Sequence, residues 1–349
     1  MDKPLNSVLS PQRKPDFVAT HYIDDIAKRT LAYLHSGFPV HFRGAAGTGK
    51  TTMAKYIADI IGKPMVLIHG DEETNTSNLI GAESGFKTQQ VVDNYISSVL
   101  KRETNVHREW VDSRLTLACK EGFTLIYDEF TRSRPEANNV LLSILEDRIV
   151  NLPVSNNQQR DPYVMVHPEF KAIFTSNPDE YSGVFKTQDA LLDRMITIDL
   201  DYFDADTEEQ ITQVKTGLSS FESKWIVKMV RSFRKDFNIE AYSSIRSCIM
   251  LGKSIQALNL DLQAPNALLI KVCQDVLGRE QMHLDQSISP PEFKKRLAQL
   301  IHSLYKIYRP IEPKAKKPEA IKPKEKEKNT PILIAEPTKD PLELHSEGL

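Results

Sequence analysis

The stretch Gly44–Thr51 reads Gly-Ala-Ala-Gly-Thr-Gly-Lys-Thr. Its glycines permit a tight turn in which consecutive backbone N–H groups point at one anion. A short apolar run, Pro39–Phe42, precedes it and a helix-like run, Thr52–Ile61, follows, so the positive end of a helix faces the same anion. In that pattern Gly44, Ala45, Ala46, Gly47, Thr48 and Gly49 line the phosphates of a nucleotide. Lys50 reaches the outer phosphates and the Thr51 hydroxyl binds Mg²⁺. A second apolar run, Phe123–Tyr127, ends in Asp128-Glu129. Asp128 is placed to share the Mg²⁺ with Thr51, and Glu129 to polarise an attacking water as a general base. ATP hydrolysis with Mg²⁺ is the chemistry these residues can do together.

Three side chains further along fit the same chemistry. Asn177 ends another apolar run, Lys171–Ser176, where an amide can orient the water beside the γ-phosphate. Arg194 lies in Leu191-Leu192-Asp193-Arg194-Met195, just before a fifth apolar run. A cation there is expected to reach a neighbouring subunit's nucleotide, with Arg148 as the competing candidate. Arg246, in Ser243-Ser244-Ile245-Arg246, is expected to touch the γ-phosphate of its own subunit. His41, His69 and His167 stand alone on strands and read as packed or edge residues.

Positioning these groups requires a parallel sheet. Pro39–Phe42, Met65–His69, Phe123–Tyr127, Lys171–Ser176 and Met195–Leu200 are short and apolar throughout, as strands covered on both faces are. The expected fold is α/β, a five-stranded parallel sheet flanked by helices over residues 18–203. A flexible arm precedes it at 1–17. Within it, Arg148–Val154 and Tyr163–His167 alternate around a polar tip and read as a β-hairpin, about 147–167. The segment Leu79–Lys120 reads as an insertion, mixed and mostly helical from Val91. From Thr207 no strand signal remains. Thr207–Phe237, Ser243–Leu260, Pro265–Leu277 and Pro290–Tyr308 read as helices of a second domain, 204–308. Seven of the chain's twenty prolines fall in Pro310–Leu349, mixed with Lys and Glu, so 309–349 is expected to be disordered.

The bulk numbers narrow the class. The chain has 349 residues, 40% hydrophobic and 26% charged, with net charge −2. That balance, with no basic stripe carrying interleaved aromatics, argues against a nucleic-acid motor. Three scattered cysteines, Cys119, Cys248 and Cys273, suit buried thiols of a reducing compartment better than disulfides or a zinc site. No apolar run approaches the ~18 residues of a membrane span, and no signal-peptide core is visible near the N-terminus. A cytoplasmic protein without membrane or nucleic-acid partners is expected. There is no Asn-Lys-x-Asp to read guanine, and a small-molecule kinase would not need Asp128-Glu129 followed by Asn177 and Arg194.

The order of these features resembles the AAA+ ATPases, and within them the MoxR branch. Leu79-Ile80-Gly81 and the hairpin before the Asn177 strand resemble that branch's loop and insertion. Ala32-Tyr33-Leu34, Gly37–Gly44 and Asp128-Glu129-Phe130-Thr131-Arg132-Ser133-Arg134-Pro135 are similar to the CbbQ/NirQ/NorQ/GvpN family, over about Asp16–Tyr308. The resemblance implies an AAA+ core with a helical lid, acting as a homo-oligomeric ring, often a hexamer, with ATP between subunits. Lys50, Thr51 and Asp128 would bind ATP with Mg²⁺, Glu129 would activate water, and Arg194 in trans and Arg246 in cis would report hydrolysis. It further implies a role in forming gas vesicles, on shell or accessory proteins. The alternatives are activation of Rubisco or nitric oxide reductase, or an ATP-gated assembly scaffold with little turnover.

Overall fold

Burial on both faces forces the apolar runs into the middle of one sheet. In a computed structural model, which describes residues 8–11, 17–92, 102–153, 161–177, 189–239, 244–278 and 288–307, they do so. The elements of the first part are β1 (Val8–Leu9), α1 (His21–His35), β2 (Val40–Arg43), α2 (Lys50–Ile61), β3 (Met65–His69) and α3 (Thr76–Ile80). Then come β4 (Gly81–Val92), β5 (Arg102–Asp112), α4 (Arg114–Glu121), β6 (Thr124–Asp128), a 3₁₀ turn (Phe130–Arg132), α5 (Pro135–Asn138) and α6 (Val140–Leu145). The sheet is completed after β7 (Ile149–Asn151) and β8 (Tyr163–Met165) by β9 (Lys171–Ser176), α7 (Asp189–Leu192) and β10 (Ile196–Asp199). The strand order is β1-β3-β6-β9-β2-β10. The five expected strands are parallel, and β1 adds an antiparallel edge through Val8↔Val66 and Leu9↔Met65. The N-terminal arm is therefore tied down at Val8–Leu9, because β3 would otherwise present an unpaired edge.

Helices cover both faces. Ile23, Ile26 and Leu34 of α1 and Met53, Ala54 and Ile57 of α2 pack with Val40 and Phe42 on one side. Leu115, Cys119, Phe130, Leu141 and Ile144 pack with Leu125, Tyr127 and Phe174 on the other. All five residues of β6 are buried, as a central parallel strand requires.

Two expectations about local structure are corrected. Among the described residues the insertion is mostly a two-stranded antiparallel ribbon, β4 paired with β5 from Gly81↔Asp112 to Val92↔Arg102, and its helical residues are those of α4 and Leu79–Ile80 at the end of α3. Residues 93–101 lie outside the described residues. The β-branched residues Thr88, Val91, Val92, Thr104, Val106 and Val111 favour extended backbone, and among the described residues the ribbon is a sheet of its own. The stretch Thr207–Phe237 is not one helix. Gly217, at φ +71, ends α8 (Ala205–Thr216), and a Ser219/Glu222 capping box starts α9 (Ser220–Asp236). The expected β-hairpin is present as β7 and β8, with Ile149↔Met165.

The later helices α10 (Ile245–Ala257), α11 (Ala267–Gly278) and α12 (Pro290–Ile307) complete an all-helical bundle around Trp225, Phe233, Leu251, Leu269 and Phe293. No helix among the described residues is long and apolar enough to cross a membrane. The tail expected to be disordered, 309–349, lies outside the described residues.

His41 ties three neighbouring strands together, β9, β2 and the edge strand β10. Its ring is buried on β2, with Nε2 2.8 Å from Ser176 Oγ on β9 and Nδ1 3.1 Å from Thr197 Oγ1 on β10. Burial, helped by the charge of Arg43, pushes its pKa from 6.5 down to about 4. The ring stays neutral in the fold at a pH where the unfolded chain takes up a proton. The stability this gives is complete above pH 6.5 and lost as pH falls towards about 4, on the order of 3 kcal/mol in all. Unfolding free energies of wild type and His41→Gln between pH 7 and pH 4 should therefore converge as the pH drops. Parallel curves would remove His41 as the cause.

Candidate nucleotide-binding site

The phosphate loop spans the end of β2 and the start of α2. Gly47 and Gly49 adopt φ +86 and +85, a left-handed backbone that side chains disfavour. Gly49 is the N-cap of α2 and offers no side-chain acceptor, so the first N–H groups of the helix are left for a ligand. Lys50 is 8% exposed and folds back over the loop, donating to the Gly44 and Ala45 carbonyls at 2.7 Å each. The buried Thr48 hydroxyl donates to the Ala45 carbonyl at 3.0 Å.

Parallel pairing brings the acidic pair to this loop. Asp128, buried at the end of β6, accepts from the Thr51 hydroxyl at 2.7 Å and from the Thr175 hydroxyl at 2.6 Å, both on Oδ1. Its Oδ2 faces His69 Nδ1 at 3.5 Å. Thr51 and Asp128 offer hard oxygen atoms, the chemistry that suits Mg²⁺, and leave the remaining positions to phosphate and water. No three His, Cys, Asp or Glu side chains gather as a metal cage among the described residues. Cys119 and Cys273 are buried thiols pushed up to about 12 by desolvation, which suits packing and not nucleophilic work.

Thr175 is a member of the site that sequence reasoning missed. Besides orienting Asp128, its Oγ accepts the Glu129 N–H at 2.9 Å. The available signal was a hydroxyl in an otherwise apolar strand, two residues before Asn177. Glu129 itself is left-handed, φ +52, a conformation costing about 1–3 kcal/mol that only its surroundings hold. Its carboxylate accepts from Arg132 Nη1 at 2.8 Å. Asn177 is buried directly after β9, between β6 and β2 in the sheet and so at the same edge of the site.

The arginines divide. Arg194 stands before β10, at the opposite end of that strand from the loop. Its guanidinium pairs with Glu146 and donates to the Ala190 carbonyl. Arg148, left-handed at φ +58, donates to the His167 carbonyl at 3.0 Å and lies 6.0 Å from the Phe170 ring, bound into its own hairpin. Arg246 is exposed in the first turn of α10. The preceding Ser244 packs so closely on the loop that a Cβ on Gly47 would fall 2.1 Å from its Oγ. The helical domain thus touches the loop within two residues of Arg246.

A glycine loop at the end of an inner strand, an acidic pair at the end of a parallel strand one removed from it and a trailing helical domain define an ATPase of the AAA class. The family model for the AAA domain (dynein-related subfamily) matches residues 39–195. The chain is 43% identical over 271 residues to the gas vesicle ATPase GvpN of Ancylobacter aquaticus, covering 78% of this chain and 75% of that one. It is 37% identical over 275 residues to the gas vesicle ATPase GvpN of Haloferax mediterranei, covering 78% and 77%. With protein CbbQ of Hydrogenophilus thermoluteolus it shares 23% over 237 residues, 67% of this chain and 80% of that one. The chain belongs to the gas vesicle ATPase GvpN family.

Proposed function

We propose that this ATPase is Mg²⁺-dependent and works as a ring of like subunits, six being expected, that couples hydrolysis to assembling or remodelling gas vesicle proteins. The meeting of Thr51 with Asp128 carries the reading: one residue at the start of α2 and one at the end of β6 supply the oxygen atoms a nucleotide-bound Mg²⁺ needs beside a glycine loop. Bound there, Mg²⁺ would neutralise charge on the phosphate oxygens. Gly44–Gly49 wrap the phosphates, and Lys50 leaves the Gly44 and Ala45 carbonyls to meet them. Glu129 takes the proton of the attacking water, with Asn177 orienting that water. Arg246 reads the phosphate in cis and Arg194 serves the next subunit. The gas vesicle assignment is supported by the much higher identity to those relatives than to CbbQ, and with it goes the reading of a cytoplasmic protein with shell or accessory proteins as clients.

Lys50→Ala tests both halves. A charge-assisted bond to phosphate contributes about 1.5–3 kcal/mol, so the variant should bind ATP about ten- to a hundredfold more weakly. A cell carrying only that variant should lose its gas vesicles. Unchanged ATP affinity would remove the assigned site, whereas lost affinity with normal vesicles would remove the biological role alone.

A further inference from the structure

Two residues of the helical side press on the phosphate loop, and both are held from behind by the same carboxylate. Ser244 lies against Gly47, and the Phe203 ring lies against Gly49, where an added Cβ would meet its Cζ at 3.0 Å. Behind Phe203, its carbonyl accepts from Arg231 Nη2 at 2.7 Å. Behind Ser244, its carbonyl accepts from Arg234 Nη2 at 2.5 Å. Arg231 and Arg234 are three residues apart on α9, so they share a face. Both turn to Glu208 on α8: Arg231 Nε donates to Oε2 at 2.5 Å, and Arg234 Nη1 stands 3.5 Å from Oε1. Glu208 and Arg234 are each 1% exposed. The neighbouring Thr207 hydroxyl donates to Asp204 Oδ2 at 2.8 Å and lies in hydrogen-bond contact with Thr20 Oγ1 at 3.1 Å, which ties this turn to the segment before α1.

Apolar side chains could pack α8 against α9 without the desolvation of a buried ion group. What they could not do is aim two guanidinium groups at two carbonyls from separate stretches of chain. We propose that Glu208 is a positioning residue for the nucleotide: through Arg231 and Arg234 it fixes Phe203 and Ser244, and so sets how the helical domain closes on Gly47 and Gly49. Loop geometry and lid angle are then one unit. Nucleotide entering the loop then meets Gly47 and Gly49 already held in place by this brace, and Arg246, two residues beyond Ser244, is held with them.

The inference rests on the loop being the ATP site, and the test separates the two. Steady-state kinetics and equilibrium binding of a non-hydrolysable ATP analogue are measured on the full chain for wild type, Glu208→Gln, Arg231→Lys and Lys50→Ala. Glu208→Gln should raise KM and Kd for nucleotide about tenfold while kcat at saturation changes less than about threefold. Arg231→Lys keeps the charge but cannot span Glu208 and the Phe203 carbonyl, so the same split is expected at about fivefold. The side chain of Arg231 is 41% exposed, so this variant folds even where Glu208→Gln fails to. The temperature shift that nucleotide gives on unfolding should shrink in both. A folded Arg231→Lys with wild-type KM, Kd and nucleotide-induced shift overturns the proposal while a Lys50→Ala defect leaves the ATP site standing. A Lys50→Ala chain that binds like wild type overturns the site itself.

Discussion

Glu129→Gln is expected to lower phosphate release by about a hundred- to ten-thousandfold while nucleotide affinity stays within about threefold. Glutamine keeps the shape of the side chain and can still accept from Arg132, but it cannot take a proton from water. The backbone at Glu129 is already committed: φ is +52 and the N–H is anchored on Thr175 Oγ1. That anchor shares its oxygen with Asp128, so the base and the acid beside Thr51 are set by one hydroxyl. The carboxylate must leave Arg132 to face water. Both side chains of that pair are 41% exposed, and such pairs contribute about 0–1 kcal/mol, so the separation is easy beside the effect on turnover. Single-turnover phosphate release, measured with and without gas vesicle shell protein, checks this against binding. Turnover equal to wild type under both conditions would leave an ATP-gated scaffold as the better reading.

Arg194→Ala should lower turnover of the assembled protein about a thousandfold or more, with little change in nucleotide binding by the single subunit. The sheet gives the reason. Ile196 pairs with Val40 and Asp199 with Arg43, so Arg194 and the loop lie at opposite ends of neighbouring strands. A four-residue strand rises about 13 Å, beyond the reach of the side chain to its own loop. The ion pair with Glu146 is half exposed on the Glu146 side and yields readily to a neighbour's phosphate. Mixing makes the measurement decisive. Arg194→Ala subunits keep Glu129, and Glu129→Gln subunits keep Arg194. If Arg194 acts in trans, randomly mixed assemblies of equal amounts of the two inactive variants recover activity at about a quarter of their interfaces. If it acts in cis, no site holds both groups and nothing is recovered. Arg148 is the weaker rival, since its guanidinium is engaged by the His167 carbonyl and lies by Phe170 in its own subunit.

The parts of this site that are contiguous in the chain were legible in it. Gly44–Thr51 needs left-handed glycines and a helix start within eight residues, and that requirement is written locally. The strands around it announced themselves because burial on both faces admits only apolar runs, and Asp128-Glu129 follows directly on one of them. The β7–β8 hairpin and the helical domain also carry their own periodicity. Where a segment lacks a core to impose a period, the reading failed. Residues 81–92 and 102–112 of the insertion form a ribbon through backbone pairing of one arm with the other, a bond pattern that side-chain spacing does not record.

What tertiary structure alone decided is which distant groups share an atom. Asp128 Oδ1 receives Thr51 and Thr175 from two other elements. His41 reads as an isolated strand residue until Ser176 and Thr197 flank it. Glu208 looks like any glutamate in the first turn of a helix until Arg231 and Arg234 turn towards it. Hydrogen bonds and ion pairs of this kind depend on strand order and helix packing, which no local pattern contains. The sequence by itself determined the glycine loop, the acidic pair that ends a buried strand and the class of ATPase to which they point. Only the fold decided which hydroxyl aligns the acids, which way each arginine faces, and what braces the helical domain against the loop.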